Sequence, residues 1–488
     1  MDKDVLMHQM TERFQELYAK ALASLDQAGE GRWIAESEWA FRDVFQQLMR
    51  ESYQAALQGK IDAHPCEQRG SFSPSGPGGR ANADDRCVER SPPADRARGR
   101  NKGRTAVRVL TVGGEVELLR RYFWSRAQGG GHPADAWAGI AGDRVSPGAR
   151  ELCCTLGVVQ DFAQGAEDLQ RTTGLRVSKE RLRQITEAEA VQVERAYAQS
   201  VLAPAWRAGE ADAAPGGPSR VYVGADGVKV RTVTQEEKDT RRREQATRRQ
   251  QRGRAGLGNT RPLPTPKPGS DDRFKEMKIG LFYDQGKTRV QAFATEGNHE
   301  VFGRRLRQHA DAIGLKEAAE ILSLTDGGPW IRNQILEQLK EVKAMLLDFY
   351  HLSEHVWSAA KTCWGEGEEA RGWAERQLHD LKTVGPRALP AAIDLLKKSV
   401  RSKAKRDALR LLRQYVRERW EMVDYPAALA RGWDIGSGPT EAMCKNLTLR
   451  LKRPGMRWDA DHAAGLMNLV ALRESGTWAK YWETRKCA

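Results

Sequence analysis

What the sequence lacks sets the first limits. It contains no run of about eighteen apolar residues, the length a membrane-spanning helix needs. Its opening stretch, MDKDVLMHQMTERF, is charged where a secretory signal would carry an apolar core, so a cytoplasmic protein is expected. The seven cysteines (Cys66, Cys87, Cys153, Cys154, Cys363, Cys444 and Cys487) are odd in number and include no C-x-x-C pair. That pattern argues against a disulfide framework or a structural zinc site and predicts free thiols in a reducing compartment. What the chain has in excess is positive charge: 79 Lys and Arg against 65 Asp and Glu, a net +14 spread through many segments. A polyanionic partner is the first expectation, beside the plainer one of a soluble basic protein. At 488 residues the chain exceeds one ordinary core, and about three domains are expected.

Along the chain, helical spacing of Val5, Met10, Phe14, Tyr18 and Leu22, then Trp39, Phe41, Phe45 and Leu48, predicts an N-terminal helical region over 1–60. Residues 61–104, dense in Gly, Pro and Arg, read as a mobile basic linker. Over 105–200, TAVRVLTVGGEVELLRRYFW predicts a hairpin around Gly113-Gly114. Three helices should follow, opening at Ser146-Pro147, near Asp161 and at Ser178. The first two, the Gly-containing turn and the helix headed SKERLRQITEAEA suit a helix-turn-helix, with Arg181 and Arg183 near the exposed first turns of a recognition helix; an ordinary helical packing unit fits as well.

From residue 218 the order becomes strand, strand, strand, helix, strand, helix, strand, then helices. That is the order of an RNase H-like fold, a mixed sheet flanked by helices, here expected over 218–350 and 430–475. A polar, Arg-rich insertion over 231–274 interrupts it, either an arm on DNA or a disordered loop. Helices over 351–429 separate its two parts. In such sheets ligands gather where strands end. Asp226 closes the apolar run VYVGAD, Asp326 ends another just before glycines, and Glu441 could reach them from a packed helix. Three converging carboxylates suit Mg²⁺, or Mn²⁺ in its place, as a hard cation that keeps positions open for phosphate oxygens. Asp434 reads as turn chemistry.

The blocks VGADGVKV, LTDGGPWIRN, LLDFYHLSEHVW and GSGPTEAMCKNLTLRLKRPGMRW together resemble the DDE transposases of bacterial insertion sequences, in the ISKra-type group related to Mutator-like elements. The resemblance runs from about Thr105 to the C-terminus. It implies an RNase H-like catalytic domain with an all-helical insertion, preceded by a mostly helical DNA-binding region, and a catalytic, metal-binding triad of Asp226, Asp326 and Glu441. It also implies double-stranded DNA as partner, both terminal inverted repeats and target DNA, and a homodimer or larger assembly on it.

Lys445, Arg450, Lys452, Arg453 and Arg457 trail Glu441 and are expected on DNA phosphates, with Lys445 and Lys452 seven apart on one helix face. His351 stands as an accessory residue or a structural histidine, and Asp348 as a helix cap. The sequence departs from the family pattern at Ser125 and Gln128, where a Cys pair is usual, so no thiolates remain there to hold zinc. Two alternatives are a nuclease of the same fold without transposition and a catalytically inactive DNA-binding protein.

Overall fold

The computed structural model describes residues 3–65, 67, 100–126, 129–140, 142–211, 218–253 and 269–487. Most of the basic linker, Cys66, Cys87, Gln128 and the Pro-rich part of the insertion lie outside them. The chain is a mixed α/β protein in two compact units, Met1–Thr186 and Glu187–Ala488.

In the first unit, α1 (Lys3–Asp26) and α2 (Trp33–Ala63) meet through Phe14, Tyr18, Phe41 and Phe45. The predicted hairpin is β1 (Arg100–Thr111) and β2 (Gly114–Ser125), with Thr111 opposite Gly114. The Gly-rich stretch after it forms β3 (Gly129–Gly131) and a single turn, α3 (Pro133–Trp137). Next come α4 (Pro147–Gly157), capped by Ser146, α5 (Phe162–Thr173), capped by Asp161, and α6 (Lys179–Ala198). Side-chain oxygens at these caps accept the first free N–H groups, which is why the two helices start where the sequence indicates. The division between the units falls within α6.

The second unit is built on a five-stranded sheet of order β6-β5-β4-β7-β8. Its strands are β4 (Arg220–Arg231), β5 (Phe274–Asp284), β6 (Val290–Thr295), β7 (Glu320–Thr325) and β8 (Ala344–Leu347). β4, β7 and β8 run parallel, while β5 is antiparallel to both β4 and β6. Helix α7 (Gln235–Gln251) leaves the end of β4, α8 (His299–Ala312) links β6 to β7, and α9 (Pro329–Gln338) links β7 to β8. Val221, Val223 and Ala225 pack on Phe302, Leu306, Ile331 and Ile335 of α8 and α9. Each of these side chains larger than alanine contributes about 2 kcal/mol by leaving water. Both faces of β4 are covered, so its start reads as a continuous apolar run rather than an alternating one.

Five helices follow β8 with their own apolar core: α10 (Phe349–Trp364), α11 (Glu368–Thr383), α12 (Ala388–Ser399), α13 (Lys403–Glu418) and α14 (Tyr425–Ala430). The chain then returns to the sheet in α15 (Gly438–Thr448) and α16 (Ala460–Glu474). A final helix, α17 (Trp478–Cys487), was not expected; Tyr481 and Arg485 pin it to buried Glu189. Among the described residues no helix is long and apolar enough to cross a membrane.

Candidate active site

β4 and β7 are paired only as far as Val223 opposite Ser323. Three residues further on each strand stand Asp226 and Asp326, level with one another just past the point where the ladder ends. β7 and β8 pair as far as Thr325 opposite Leu347, so Asp348 follows in the same row. Three acids thus stand in one row, Asp226 within β4 and Asp326 and Asp348 just past the ends of β7 and β8, where the parting of two strands opens a crevice. Asp226 closes the apolar run but lies within its strand: β4 continues to Arg231, paired there with β5 and no longer with β7.

Alternation along β4 decides what Asp226 faces. Val221, Val223 and Ala225 are on the side of α8 and α9, so Tyr222, Gly224 and Asp226 take the opposite side, under α15. Asp226 Oδ1 accepts from the Gly227 N–H at 2.6 Å, and Oδ2 accepts from the Cys444 thiol of α15 at 3.5 Å. Burial raises the Asp226 carboxyl above its ordinary range; the Gly227 N–H opposes this, the Asp326 charge adds to it, and Cys444 and His351 pull it back. The Cys444 thiol is itself pushed well up, first by burial and then by Asp226.

Asp326 is fixed by the turn that follows it. Gly328 N–H donates to its Oδ1 at 2.9 Å, and Tyr415 Oη of α13 donates to its backbone carbonyl at 3.1 Å. Gly327 has φ +68°, and a Cβ there would come within 2.8 Å of Arg419 Nε, so this turn requires glycine. Arg419 lies over the Tyr415 ring at 3.9 Å, and His355 stacks on that ring at 4.0 Å.

Asp348 caps α10, accepting from Tyr350 N–H at 3.0 Å, as the sequence allowed. Its second oxygen accepts from Ser437 Oγ at 2.6 Å, and Ser437 is the cap position of α15. Asp348 therefore ties the row of strand-end acids to the helix that carries Glu441. His351 is half-exposed on the first turn of α10, close enough for its charge to act on Asp226. Asp434 pairs with Lys287 at 3.2 Å, and its N–H donates to Tyr222 Oη, in keeping with a turn.

Glu441 is exposed in the first turn of α15, where a negative charge also complements the helix dipole. With Asp226 it lines an open cavity of about 660 Å³ whose other charged lining is Lys229, Lys445, Lys452 and Arg453. Each wall carries both signs, Asp226 and Lys229 on β4 and Glu441 and Lys445 on α15, and the excess of cations over acids would admit a phosphate. Asp226 and Asp326 offer carboxylate oxygens, the donor type a hard divalent cation takes, and their mutual repulsion is what such a cation would relieve. Among the described residues, however, no three His, Cys, Asp or Glu side chains stand together as a ready metal-holding group. Asp226 and Asp326 are brought into one row, and Glu441 lines the same cavity as Asp226, whereas Asp326 is not part of that lining.

No family model matches the chain, and no curated protein matches it.

Several expected DNA contacts take other roles. Arg450 is 2 % exposed and lies over the Trp458 ring at 5.0 Å, so packing and not phosphate holds it. Arg457 pairs with Glu237 of α7 at 2.5 Å. Lys445 and Lys452 do not share a helix, since α15 ends at Thr448, yet the following turn brings Lys452 back to the cavity that Lys445 lines. In the first unit, Arg181 is half-buried and donates to the Asp143 carbonyl, while Arg183, also half-buried, pairs with Glu180 at 2.6 Å. Arg181 is thus turned onto its own unit, whereas the Arg183 pair with Glu180 lies at the surface. Ser125 ends β2. Tyr415 and Arg419 support the site and carried no sequence signal; Ser437, Thr440 and Cys444 lie in the same family-like block as Glu441, but nothing in their spacing marked them.

Proposed function

We propose that the chain is a DDE-type transposase of the ISKra-type group, with an RNase H-like catalytic core interrupted by the helices α10–α14. The observation that carries this reading is the level placement of Asp226 and Asp326 where β4 and β7 part, with Glu441 lining the same Lys-rich cavity as Asp226. The mixed sheet flanked by helices, and its element order, support the RNase H-like assignment.

Asp226, Asp326 and Glu441 would hold Mg²⁺, or Mn²⁺ in its place. The chemistry such ions supply when bound is polarisation of a phosphodiester and stabilisation of the attacking and leaving oxygens. Lys445, Lys452 and Arg453 draw the DNA backbone to the cavity without reading its sequence. Asp348 positions the Glu441 helix through Ser437. The substrate is double-stranded DNA at the terminal inverted repeats, cut to free a 3′-hydroxyl that then attacks target DNA, in a dimer or larger assembly that joins two ends.

The test is strand transfer from a pre-cut end in Mg²⁺. A transposase gives a joined product, a nuclease of the same fold gives hydrolysis alone, and an inactive DNA-binding protein gives neither.

A further inference from the structure

Helix α7 buries none of its residues. It leaves β4, the strand that carries Asp226, and is held at its first turn. Val233 N–H donates to the Trp458 carbonyl at 2.9 Å, Glu237 pairs with Arg457, Lys238 pairs with Asp459, and Glu236 N–H donates to Asp271 at 3.1 Å. These anchors place its base against the segment that follows the cavity-lining Lys452 and Arg453. Beyond Lys238 the side-chain hydrogen bonds found among the described residues stay within the helix, as in Thr247 to the Arg243 carbonyl.

At 100° per residue, Arg241, Arg242, Arg248, Arg249 and Arg252 fall within an arc of about 120°, interleaved with Gln245 and free of acids. Glu244 and Asp239 lie outside that arc, Glu244 reaching only Arg248, at 3.9 Å on the exposed surface, and Glu237 at its edge is engaged by Arg457. The stripe from Arg241 to Arg252 runs for about 16 Å, about half a helical turn of duplex DNA. A helix of this length with no buried face draws little stability from packing, and five guanidinium groups on one side repel one another. A polyanion laid along the stripe removes that repulsion and releases its own counterions.

We propose that α7 is a lever that lies along the phosphate backbone of the duplex held at the Asp226 cavity, gripping DNA beyond the reacting phosphate. The proposal rests on the DNA reading above and deepens it. The arm contacts phosphates only, so its grip is independent of sequence, and its helix becomes more protected from hydrogen exchange when DNA is bound.

The experiment compares the full chain with a variant carrying Arg241→Gln, Arg242→Gln, Arg248→Gln, Arg249→Gln and Arg252→Gln. Fluorescence anisotropy on a random-sequence duplex of about three helical turns is read from about 50 to 200 mM salt, with Asp226→Asn alongside. These substitutions touch no buried residue, so the melting temperature should stay unchanged, which separates the effect from misfolding. We expect affinity to fall at least tenfold and the salt slope to flatten by about 0.9 for each phosphate that is no longer neutralised. An unchanged slope overturns the proposal, as does an altered oligomeric state at unchanged DNA affinity, which would assign the stripe to a second copy of the chain. Should Asp226→Asn cleave DNA normally while the arginine variant loses its slope, the catalytic reading falls and the lever stands.

Discussion

A Cβ placed on Gly224 of β4 would stand 2.1 Å from Thr440 Oγ1 of α15. The Thr440 side chain of the helix that carries Glu441 therefore lies directly on the backbone of the strand that carries Asp226, two residues from one acid and one residue from the other. Gly224→Ala must displace the Thr440 side chain and, with it, strain the packing of α15. The expected result is a loss of about 1–3 kcal/mol of stability, the usual cost of overpacking. Loss of DNA cleavage should persist at temperatures where the variant is fully folded. Adding Thr440→Ala should recover part of both, as read by denaturant melts and cleavage assays.

Asp226 should be a stability liability at neutral pH. Its folded-state carboxyl is raised, first by burial, so the protonated form is favoured in the fold. The sign follows: stability is retained below the unfolded carboxylate range and is lost as pH rises through the higher folded value. Asp226→Asn should raise the melting temperature at pH 7 by a few degrees, on the scale of about 2–4 °C per kcal/mol. The gain should vanish at pH near 3, where the carboxylate of either state is protonated. Differential scanning fluorimetry across pH checks both halves.

The basic residues after Glu441 divide by role. Arg450→Ala should lower stability by on the order of 2 kcal/mol through loss of the buried stack on Trp458. Lys445→Gln with Lys452→Gln should leave stability within about 0.5 kcal/mol and weaken DNA binding instead. Thermal melts and salt-dependent binding on the same preparations distinguish the two classes.

His309 predicts acid sensitivity. It is buried between Phe293 at 4.4 Å and Tyr197 at 4.7 Å, and burial followed by Arg305 lowers it to about 3. A depressed value gives stability that is present above the ordinary imidazole range and is lost as pH falls from about 6.5 toward the folded value. His309→Gln should cost on the order of 1–2 kcal/mol at pH 8 and make stability fall less steeply between pH 6 and 4. Urea melts at several pH values measure that slope.

Element positions were largely legible because local chemistry sets them: Ser146 and Asp161 cap their helices, Gly327-Gly328-Pro329 turns β7 into α9, and the apolar run of β4 marks a doubly covered strand. Helix α7 escaped the reading because it has no apolar periodicity at all. The acids Asp226 and Asp326 could be picked out by their place after apolar runs, whereas Tyr415 and Ser437 are joined to the row of acids only by tertiary contacts across 89 residues each. Arg450 was misread for the same reason: its stacking on Trp458 depends on how the chain turns after α15, which charge spacing does not encode.

The most direct measurement is divalent-ion affinity, by titration of Mn²⁺ followed by electron paramagnetic resonance, for the full chain and for Asp226→Asn, Asp326→Asn and Glu441→Gln. Each substitution should weaken Mn²⁺ binding at least tenfold, the loss expected when a ligand that shares an ion is removed. If all three variants bind Mn²⁺ as tightly as the parent chain, the acids do not share an ion and the proposed phosphoryl chemistry is contradicted.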